Sequence, residues 1–419
     1  MSLLASFRPE PPLLPGFSSE QTRACVVIPV RNEENTLAAT LDALLDQRDH
    51  NGRLLDWMEY EVLVLLNNCT DQSDAAAQAW KRRHPGFLLQ IVERILPGDL
   101  AHVGWARRLA MDTAWHRLHG AGTQTGMKGI LSTDADTLVH PRWVAANLQA
   151  LERGADAVGG AIHLQDEGFA RLSSGVQRAY RRDRRYQLLV AKLEDLLDPQ
   201  AGDPWPRHLE HFGASLACSP EAYARAGGLP PVKLLEDVAF VDALRRSGAR
   251  LRHDPSVIVA TSARLDGRAE IGLSHQLRTW QVMTAARLPQ KVVSAEALTH
   301  RFRTMRHLRA VFAGAEWPQS GGRTCAWQAR LREERGKARS EAEFLFNIDC
   351  DRMIRESGPA VVQEEIAKVN RRLARSIAQL RWTRQKIATC AADQMRVLPW
   401  VRGSATATMH ADDPVEQHG

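Results

Sequence analysis

Residues 129–136 read Gly-Ile-Leu-Ser-Thr-Asp-Ala-Asp, a short apolar run that ends in two carboxylates. A continuous apolar run predicts a strand that is buried on both faces. Ligands of open α/β sheets bind at the carboxyl ends of the strands, so Asp134 and Asp136 are expected at a ligand-binding edge. Two carboxylates two residues apart can reach one hard cation, and Mg²⁺ or Mn²⁺ takes oxygen ligands. A solvated acidic turn explains the same short motif, so its context has to decide.

The context is an alternation of apolar runs and amphipathic segments. A 3.6-residue period predicts helices between the runs, as in the stripe of Leu37, Leu41 and Leu44. Pro141 is expected at the first position of a helix, and Gly248 is expected to end another. Alternating strands and helices favour an α/β fold of the Rossmann-like kind, with a mainly parallel sheet flanked by helices. The predicted strands are 24–30, 61–66, 88–92, 129–133, 155–164 and 251–261.

The composition is that of an ordinary globular protein. The 419 residues suffice for one large core and a smaller second unit, with 44% apolar and 25% charged residues. The net charge of +6 and a pI near 9.1 describe a mildly basic surface. Such a surface suits nucleotide phosphates, anionic lipid headgroups or nucleic acid without choosing among them. The six cysteines have neither CxxC nor zinc-ligand spacing, which favours a reducing compartment.

The sequence also indicates location and domain organisation. The N-terminal stretch SLLASFRPEPPLLPGF lacks the features of a signal peptide, and no run of about 18 apolar residues predicts a membrane span. We expect a cytoplasmic protein, and peripheral contact with the inner membrane stays open. We divide the chain into an irregular leader (1–22), an α/β domain (23–280), an all-α C-terminal extension (281–400) and a disordered tail (401–419).

The C-terminal extension is helical and charged in pattern. Ile366, Leu373, Leu380 and Ile387 recur every seven residues, which is half of a coiled-coil seam and leaves homo-oligomerisation through these helices open. Residues 364–387 hold seven basic side chains against two acidic ones. Such a helix suits phosphate or an anionic membrane, although a solvated face of a packed helix is the more ordinary interpretation. We expect no nucleic-acid partner.

Four further polar blocks follow predicted strands or begin predicted helices. Residues 28–34 (IPVRNEE) and 66–71 (LNNCTD) follow the first two strands. Residues 104–110 (GWARRLA) place a glycine and two arginines at a helix start, which suits a diphosphate. Residues 235–240 (LEDVAF) place two carboxylates at another, where one can take a proton from an acceptor hydroxyl. Helix capping or dipole compensation explains each block taken alone.

In this order, the blocks resemble the large family 2 of inverting glycosyltransferases with the GT-A fold. Members carry a PxxNEE-like loop, a DGSTD-like loop, a GxxxAR block, a DAD motif, and a GA-x-LA segment before an ED pair; the GA-x-LA segment is residues 213–217 here. The likeness covers about residues 24–265. It implies sugar transfer from a nucleotide-diphosphate donor to a hydroxyl acceptor with Mg²⁺ or Mn²⁺. Residues 261–268 (TSARLDGR) resemble an element of bacterial members whose acceptor is unassigned.

The resemblance also implies roles for single residues. Asp134 and Asp136 would bind the metal, and Asp237 would be the catalytic base with support from Glu236. His253 is a candidate third metal ligand, although a lone histidine beside a strand is more often structural. The donor nucleotide would contact Pro29, Arg31, Glu33, Asn67, Asp71, Arg107 and Asp134, and the acceptor would contact Gly213 and Ala214.

Two features depart from the family pattern. Leu66 and Asn67 stand where the loop after the second strand often carries acidic residues, which leaves UDP open as the donor nucleotide. Residues 276–280 (QLRTW) hold the residue types of QxxRW at another spacing, which speaks against a polymer synthase. Two alternatives remain: a nucleotidyltransferase, which would usually carry a Gly-rich basic loop unlike PVRNEEN, and a degenerate domain that serves as a non-catalytic binding or scaffold protein.

Overall fold

The computed structural model describes residues 7–119, 126–267, 271–316, 324–357 and 362–397. The predicted tail 401–419 and Arg268 lie outside this part of the chain. The side chains of Arg384, Lys386 and Ile387 also lie outside it.

Ten strands occur in the described residues, and eight of them form one sheet in the spatial order β3-β2-β1-β4-β7-β6-β8-β5. The other two form a separate antiparallel pair. The strands are β1 (Ala24–Val30), β2 (Tyr60–Asn67), β3 (Leu89–Arg94), β4 (Gly129–Ser132), β5 (Thr137–Val139), β6 (Ala157–Leu164), β7 (Leu216–Cys218), β8 (Leu251–Thr261), β9 (Lys291–Val293) and β10 (Gln363–Glu365).

Helices flank the sheet and make up most of the chain after β8. A short 3₁₀ turn, Gly98–Leu100, precedes the third α-helix. The α-helices in the described residues are α1 (Leu37–Leu45), α2 (Ser73–Arg83), α3 (Val103–His119), α4 (Trp143–Glu152), α5 (Asp166–Arg171), α6 (Ser174–Leu197), α7 (Pro220–Arg225), α8 (Glu236–Arg246), α9 (Leu273–Ala285), α10 (Ala295–Phe312), α11 (Thr324–Lys337), α12 (Glu341–Asn347), α13 (Cys350–Ser357) and α14 (Ile366–Val397).

The large sheet is mainly parallel, which confirms the predicted fold class. β1 runs parallel to β2 and β4, β2 to β3, and β6 to β8. β7 lies antiparallel between β4 and β6, and β5 is antiparallel to β8. The chain therefore has a Rossmann-like sheet of the GT-A type with helices on both faces, followed by a helical C-terminal region.

Both faces of β1 are buried, because alternate side chains enter two separate cores. Val26 and Ile28 pack in one core with α1, α2 and α4. Cys25 and Val27 pack in the other core with α3, α7 and α8. Side chains of a strand alternate between the two faces of a sheet, so a continuous apolar run is needed wherever helices cover both. The six strands predicted from such runs are confirmed within a few residues at each end.

Three local predictions are corrected. Pro141 precedes the start of α4 at Trp143 instead of occupying its first position; its carbonyl accepts from the N–H of Arg48. The six predicted strands omit β7, whose three residues are held from both sides by β4 and β6. Strands also occur after residue 280, where none was expected, because β9 pairs with β10.

The helical region packs on the long helix α6 through a third core. Val369 and Leu373 of α14 lie in this core with Val190 and Leu193 of α6. The predicted half-seam therefore finds its apolar partner inside the same chain. No helix in the described residues is both long and apolar enough to cross a bilayer.

Candidate active site

Asp134 and Asp136 leave the sheet directly after β4, at the edge where the parallel strands end. Asp134 has a partly exposed side chain, and its Oδ1 accepts from Nη2 of Arg107 at 2.8 Å. Asp136 is more buried, and its Oδ2 lies 3.0 Å from Nη2 of Arg264. The Asp136 backbone carbonyl accepts from Nε2 of Gln165, the first residue after β6, at 3.0 Å. The two carboxylates are thus held by different arginines from different parts of the chain.

Arg107 links Asp134 to the predicted catalytic pair. It begins the second turn of α3, is 2% exposed, and donates from Nε to Glu236 at 3.1 Å. Its Nη1 donates to Ser132 Oγ at 2.5 Å and to the Gly213 carbonyl at 3.1 Å. A Cβ on residue 213 would lie 2.6 Å from Nη2 of the same guanidinium, so this approach requires glycine.

Asp237 faces the loop that carries the predicted acceptor residues. Its Oδ2 accepts from the Gly213 N–H at 2.8 Å, and its Oδ1 accepts from the Val238 N–H at 2.8 Å. The Ala214 carbonyl accepts from Thr133 Oγ1 at 2.9 Å, which ties the loop to the end of β4. Leu235 adopts the left-handed conformation just before α8, with φ of 55°. A branched residue at positive φ is strained, and such strain is concentrated at functional sites.

Arg264 joins the loop after β8 to the loop after β1. Its Nη1 and Nη2 donate to Glu33 Oε2 and Oε1 at 2.9 and 2.7 Å, in the bidentate arrangement that guanidinium and carboxylate favour. The same Nη2 lies 3.0 Å from Asp136. Glu33 is buried and also accepts from Thr36 Oγ1 at 2.8 Å. This contact therefore fixes the first-strand loop against the second aspartate of the DAD motif.

Hydrogen bonds also join the loops after β1 and β2. Asn32, at φ of 57°, accepts from the Thr70 N–H at 2.7 Å. Asp71 accepts from the Glu34 N–H at 3.0 Å and from the Ser73 N–H at 3.0 Å. The structure thus brings the two predicted nucleoside loops together.

Asn67 ends β2 and is buried at the same edge. Its Oδ1 has no hydrogen-bond partner among the residues that the structure describes. An unsatisfied buried acceptor is costly, so this amide is a position where a bound donor group would stabilise the protein.

The raised carboxyl pKa values in this linked set of charged residues come mainly from burial. Burial raises the pKa of Asp136 to about 6, with Asp134 adding to the effect and Arg264 opposing it. Burial also raises the pKa of Glu236, against the opposing effect of Arg107. Burial disfavours the charge on Arg107, but Asp134 and Glu236 outweigh it and raise its pKa above the usual range. The set joins five carboxylates (Glu33, Asp134, Asp136, Glu236 and Asp237) to two guanidinium groups.

Three predicted residues lie apart from the linked set. His253 lies at the opposite end of β8 from Thr261, whose hydroxyl is 3.5 Å from Asp136. The His253 ring is held by Asp203 at 2.7 Å and contacts His211 at 3.1 Å, so the structure does not bring it to the two aspartates. Arg31 is exposed and donates to the Ala101 carbonyl at 2.8 Å.

Pro29 is the third predicted residue that lies apart from the linked set. It lies within β1, opposite Leu65 of β2, and is half-buried.

Two residues that contact the carboxylates of the linked set were not singled out from the sequence. Arg264 lies in the TSARLDGR element, which was noted only as a resemblance, and no local signal indicated that it would reach Glu33. Gln165 follows an ordinary strand, and nothing in its neighbourhood predicted the contact with Asp136.

One family model matches part of the chain. Residues 25–199 match the model described as Glycosyl transferase family 2. The matched segment contains β1 to β6, the loops after β1 and β2, Arg107 and the DAD motif. No curated protein sequence is significantly similar to this chain.

Several solved glycosyltransferase structures resemble the chain at low scores. The mannosyltransferase PcManGT from Pyrobaculum calidifontis, in complex with GDP-Man and Mn²⁺, is 18% identical over 95% of this chain and 91% of its own, with a TM-score of 0.39. Residues 1–349 of TarS from S. aureus are 14% identical over 80% and 91%, with a TM-score of 0.36. Glucosyl-3-phosphoglycerate synthase from Mycobacterium tuberculosis, in complex with Mn²⁺, UDP-Glc and phosphoglyceric acid, is 20% identical over 65% and 84%, with a TM-score of 0.35. TM-scores this low carry no inference about this chain.

Proposed function

We propose that this chain, a glycosyltransferase by its family 2 domain, moves a sugar from a nucleotide-diphosphate donor to a hydroxyl acceptor with inversion at the sugar C1 atom. The observation that carries the proposal is the linked set of charged residues. Arg107 connects Asp134, at the end of β4, to Glu236 and the acceptor loop through contacts of 2.8 to 3.1 Å. The diphosphate side and the acceptor side of the reaction therefore meet at one buried guanidinium.

A divalent cation fits the residues present. Mg²⁺ and Mn²⁺ are usually held by one or two carboxylates together with substrate phosphates. Asp134 and Asp136 supply two carboxylates, and each has lone pairs beyond those that accept from an arginine. The described residues hold no group of three or more potential ligands, so the donor phosphates would complete the coordination. The five carboxylates of the linked set outnumber its two guanidinium groups, so added positive charge is expected to be stabilising there.

The metal, when bound, would stabilise the negative charge of the leaving diphosphate. Residues of the chain remove the acceptor proton and position the reacting groups. Asp237 takes the proton of the acceptor hydroxyl, and its orientation is fixed by the Gly213 and Val238 N–H groups. The acceptor oxygen forms the new bond to the sugar C1 atom, the C1–O bond to the diphosphate breaks, and the nucleoside diphosphate leaves with that electron pair. Glu236 holds Arg107 in place and does not need to transfer a proton.

We assign the donor nucleotide to the joined loops after β1 and β2, which carry Glu33, Asn67 and Asp71. Arg264 locks Glu33 against Asp136, so nucleoside and diphosphate pockets form as one unit. The catalytic unit would be residues 23–280, with residues 281–400 as a helical extension. A degenerate scaffold would not need to keep a fully buried arginine with two carboxylate partners, because burying such a group is costly unless it is fully paired.

The first test is thermal unfolding of the full chain with UDP, GDP, CDP, dTDP and ADP, each with Mn²⁺ and again with chelator. A ligand that binds only the folded state stabilises it by about 2.7 kcal/mol at a concentration of 100 times its Kd. We expect one nucleotide to raise the Tm only when Mn²⁺ is present. No stabilisation by any nucleotide would contradict the proposed donor class, and equal stabilisation with chelator would contradict the metal assignment.

A further inference from the structure

An open groove runs along α6, the long helix that follows β6 and α5. Its volume is about 580 Å³. Pockets that bind small molecules measure roughly 300–1,000 Å³, so this groove is large enough for a ligand. Most of its lining comes from α6, while His163, Trp205 and Ile377 are contributed by β6, by the segment after α6, and by α14.

The floor of the groove is apolar and reachable from solvent. Leu188 is 47% exposed and Trp205 is 42% exposed, and both line the groove with Leu189 and Ile377. Large apolar side chains that are clustered and exposed mark a surface that another apolar group covers. The lining lies mostly along one helix, an arrangement that suits an extended chain.

The rim of the groove is cationic. Arg181, Arg184, Arg185 and Lys192 line it, and the lining includes no carboxylate. Arg184 is paired with Glu210, and Lys192 with Asp195. Arg181 and Arg185 are exposed and have no ion pair with any residue that the structure describes. The Arg181 guanidinium lies over the Phe169 ring, 5.1 Å from its centroid. Both arginines lack a carboxylate partner among the described residues, and their charges complement a ligand that carries negative charge.

Short chain segments connect the groove to residues of the proposed site. His163 lines it, and two residues further on Gln165 donates to the Asp136 carbonyl. Two residues of extended chain span about 7 Å. From the other side, Glu210 pairs with Arg184 three residues before Gly213, whose N–H donates to Asp237. Three residues of extended chain span about 10 Å, so the groove lining and the Gly213 loop are close along the chain.

We propose that this groove, called the α6 groove, binds the acceptor, and that the acceptor is an amphiphile with an apolar chain and an anionic group. This inference rests on the proposed function and adds the chemical class of the acceptor to it. The apolar chain lies on Leu188 and Trp205. The anionic group lies at Arg181 and Arg185, and the hydroxyl that receives the sugar extends toward Asp237. An anionic apolar ligand could be a single lipid-like molecule or the surface of a membrane. The proposal is that the groove binds a single lipid-like molecule.

The test is calorimetric binding of n-dodecyl phosphate to the full chain, below the concentration at which the probe aggregates. We expect saturable binding with one site. Tetraethylene glycol monododecyl ether, which has the same chain without charge, should bind at least tenfold more weakly, and inorganic phosphate should not compete. Competition by inorganic phosphate would show an ordinary anion site and would overturn the proposal. Binding to phosphatidylglycerol vesicles with none to monomeric dodecyl phosphate would also overturn it, in favour of a membrane-docking face.

Two variants locate the site. Arg185→Glu removes an uncompensated charge, and Leu188→Ser removes part of the floor; each side chain is exposed, so the fold should tolerate the change. We expect each variant to weaken dodecyl phosphate binding at least tenfold. Arg83→Glu makes the same charge change at an exposed arginine of α2, which packs beside the edge strand β3, and this variant should bind like wild type. Equal binding by all variants would overturn the assignment to the α6 groove.

The nucleotide measurement separates this inference from the proposed function. If a nucleotide with Mn²⁺ stabilises the chain but dodecyl phosphate does not bind, the acceptor class is wrong and the donor reaction stands. If dodecyl phosphate binds in the α6 groove but no nucleotide stabilises the chain, the groove's ligand class stands and the proposed reaction is wrong.

Discussion

Replacing Arg107 by methionine tests the centre of the linked set. The guanidinium donates to Asp134, to Glu236 and to two neutral oxygens, and the residue is 2% exposed. Methionine fills most of the same space but donates no hydrogen bond, so both carboxylates lose their cation. Glu236 cannot recover the lost interaction from water, because its side chain is only 8% exposed. Asp134, at 36%, can recover part of it.

The expected loss follows from these contacts. Removing one partner of a buried ion pair costs about 3–5 kcal/mol. Each neutral acceptor that loses its donor adds about 1 kcal/mol. The lost contact with Asp134 contributes little to the change in unfolding free energy, because exposed ion pairs are weak. Glu236 can limit the destabilisation that its unpaired charge causes by taking up a proton. These effects favour the lower end of the sum, so we expect the free energy of unfolding to fall by about 5 kcal/mol near pH 7.5, a large part of the roughly 5–15 kcal/mol that a folded domain has.

The loss should depend on pH in a defined direction. Burial raises the pKa of Glu236, and Arg107 is the main group that opposes this rise. A carboxyl whose pKa is raised on folding destabilises the folded state when ionised, and this cost disappears as the pH falls through the folded-state pKa. The difference between wild type and Arg107→Met should therefore be smaller near pH 5 than near pH 7.5. Urea unfolding followed by tryptophan fluorescence at both pH values measures it.

Arg117→Met is the matched control. Arg117 donates two hydrogen bonds of 2.8 Å to Glu61, and both groups are buried away from the linked set. This variant should lose comparable stability and keep metal-dependent nucleotide binding, whereas Arg107→Met should lose both. An unchanged free energy of unfolding for Arg107→Met would refute the energetic argument. Equal loss of nucleotide binding in the two variants would refute the placement of Arg107 in the site.

Three further predictions concern single groups. Asp136→Asn should remove the Mn²⁺ dependence of nucleotide binding in the thermal assay, because it removes one of two proposed ligands; an unchanged Mn²⁺ effect would contradict this. Asp237→Asn should keep donor binding and reduce sugar transfer at least a hundredfold, as expected for loss of a general base, whereas the exposed Asp242→Asn on the same helix should keep full turnover; full turnover by Asp237→Asn would place the base elsewhere. Burial lowers the pKa of His208 to about 4, and its Nδ1 accepts from the Glu210 N–H, so neutral His208 is favoured in the folded state. Stability from this group is complete above the unfolded pKa of about 6.5 and is lost as the pH falls toward 4; by pH 5 the loss is roughly 2 kcal/mol. In urea titrations His208→Asn should lose less stability than wild type between pH 7 and pH 5, and an equal loss would show that other groups set the acid sensitivity.

The sequence predicts the parts of the fold whose signal is local. The run Ala24–Val30 was predicted as a strand with the bounds that the structure has, because a strand covered on both faces needs apolar residues at every position. The end of α8 was predicted from Gly248, which adopts φ of +76°. By contrast, β5 and β7 have three residues each and no pattern of their own. They exist because neighbouring strands offer free hydrogen-bonding edges, and that depends on the assembled sheet.

In the candidate site, too, the residues with a local sequence signal could be predicted, whereas the contacts between distant residues could not. Asp134, Asp136 and Asp237 were indicated because each follows a strand or begins a helix, and such positions can be read along the chain. The contacts between them could not be read in this way. Glu33 and Arg264 are 231 residues apart, and each has an ordinary local explanation. His253 shows the reverse case, since its residue type suggested a ligand, whereas its position in β8 places it beside Asp203.

The α6 groove depends on a packing arrangement that the heptad pattern only half specified. Apolar residues every seven positions in α14 predicted a seam but not its partner, and a second copy of the chain was one candidate. In the structure these apolar residues of α14 pack against α6: Ile366 and Leu373 lie in one core with Val190 and Leu193. This docking also sets Ile377 beside the basic face of α6, where it completes the floor of the groove. The helical extension therefore stabilises α6 and shapes the proposed acceptor site through the same contacts, so a variant that loosens α14 should weaken dodecyl phosphate binding before it affects nucleotide binding at the loops after β1 and β2.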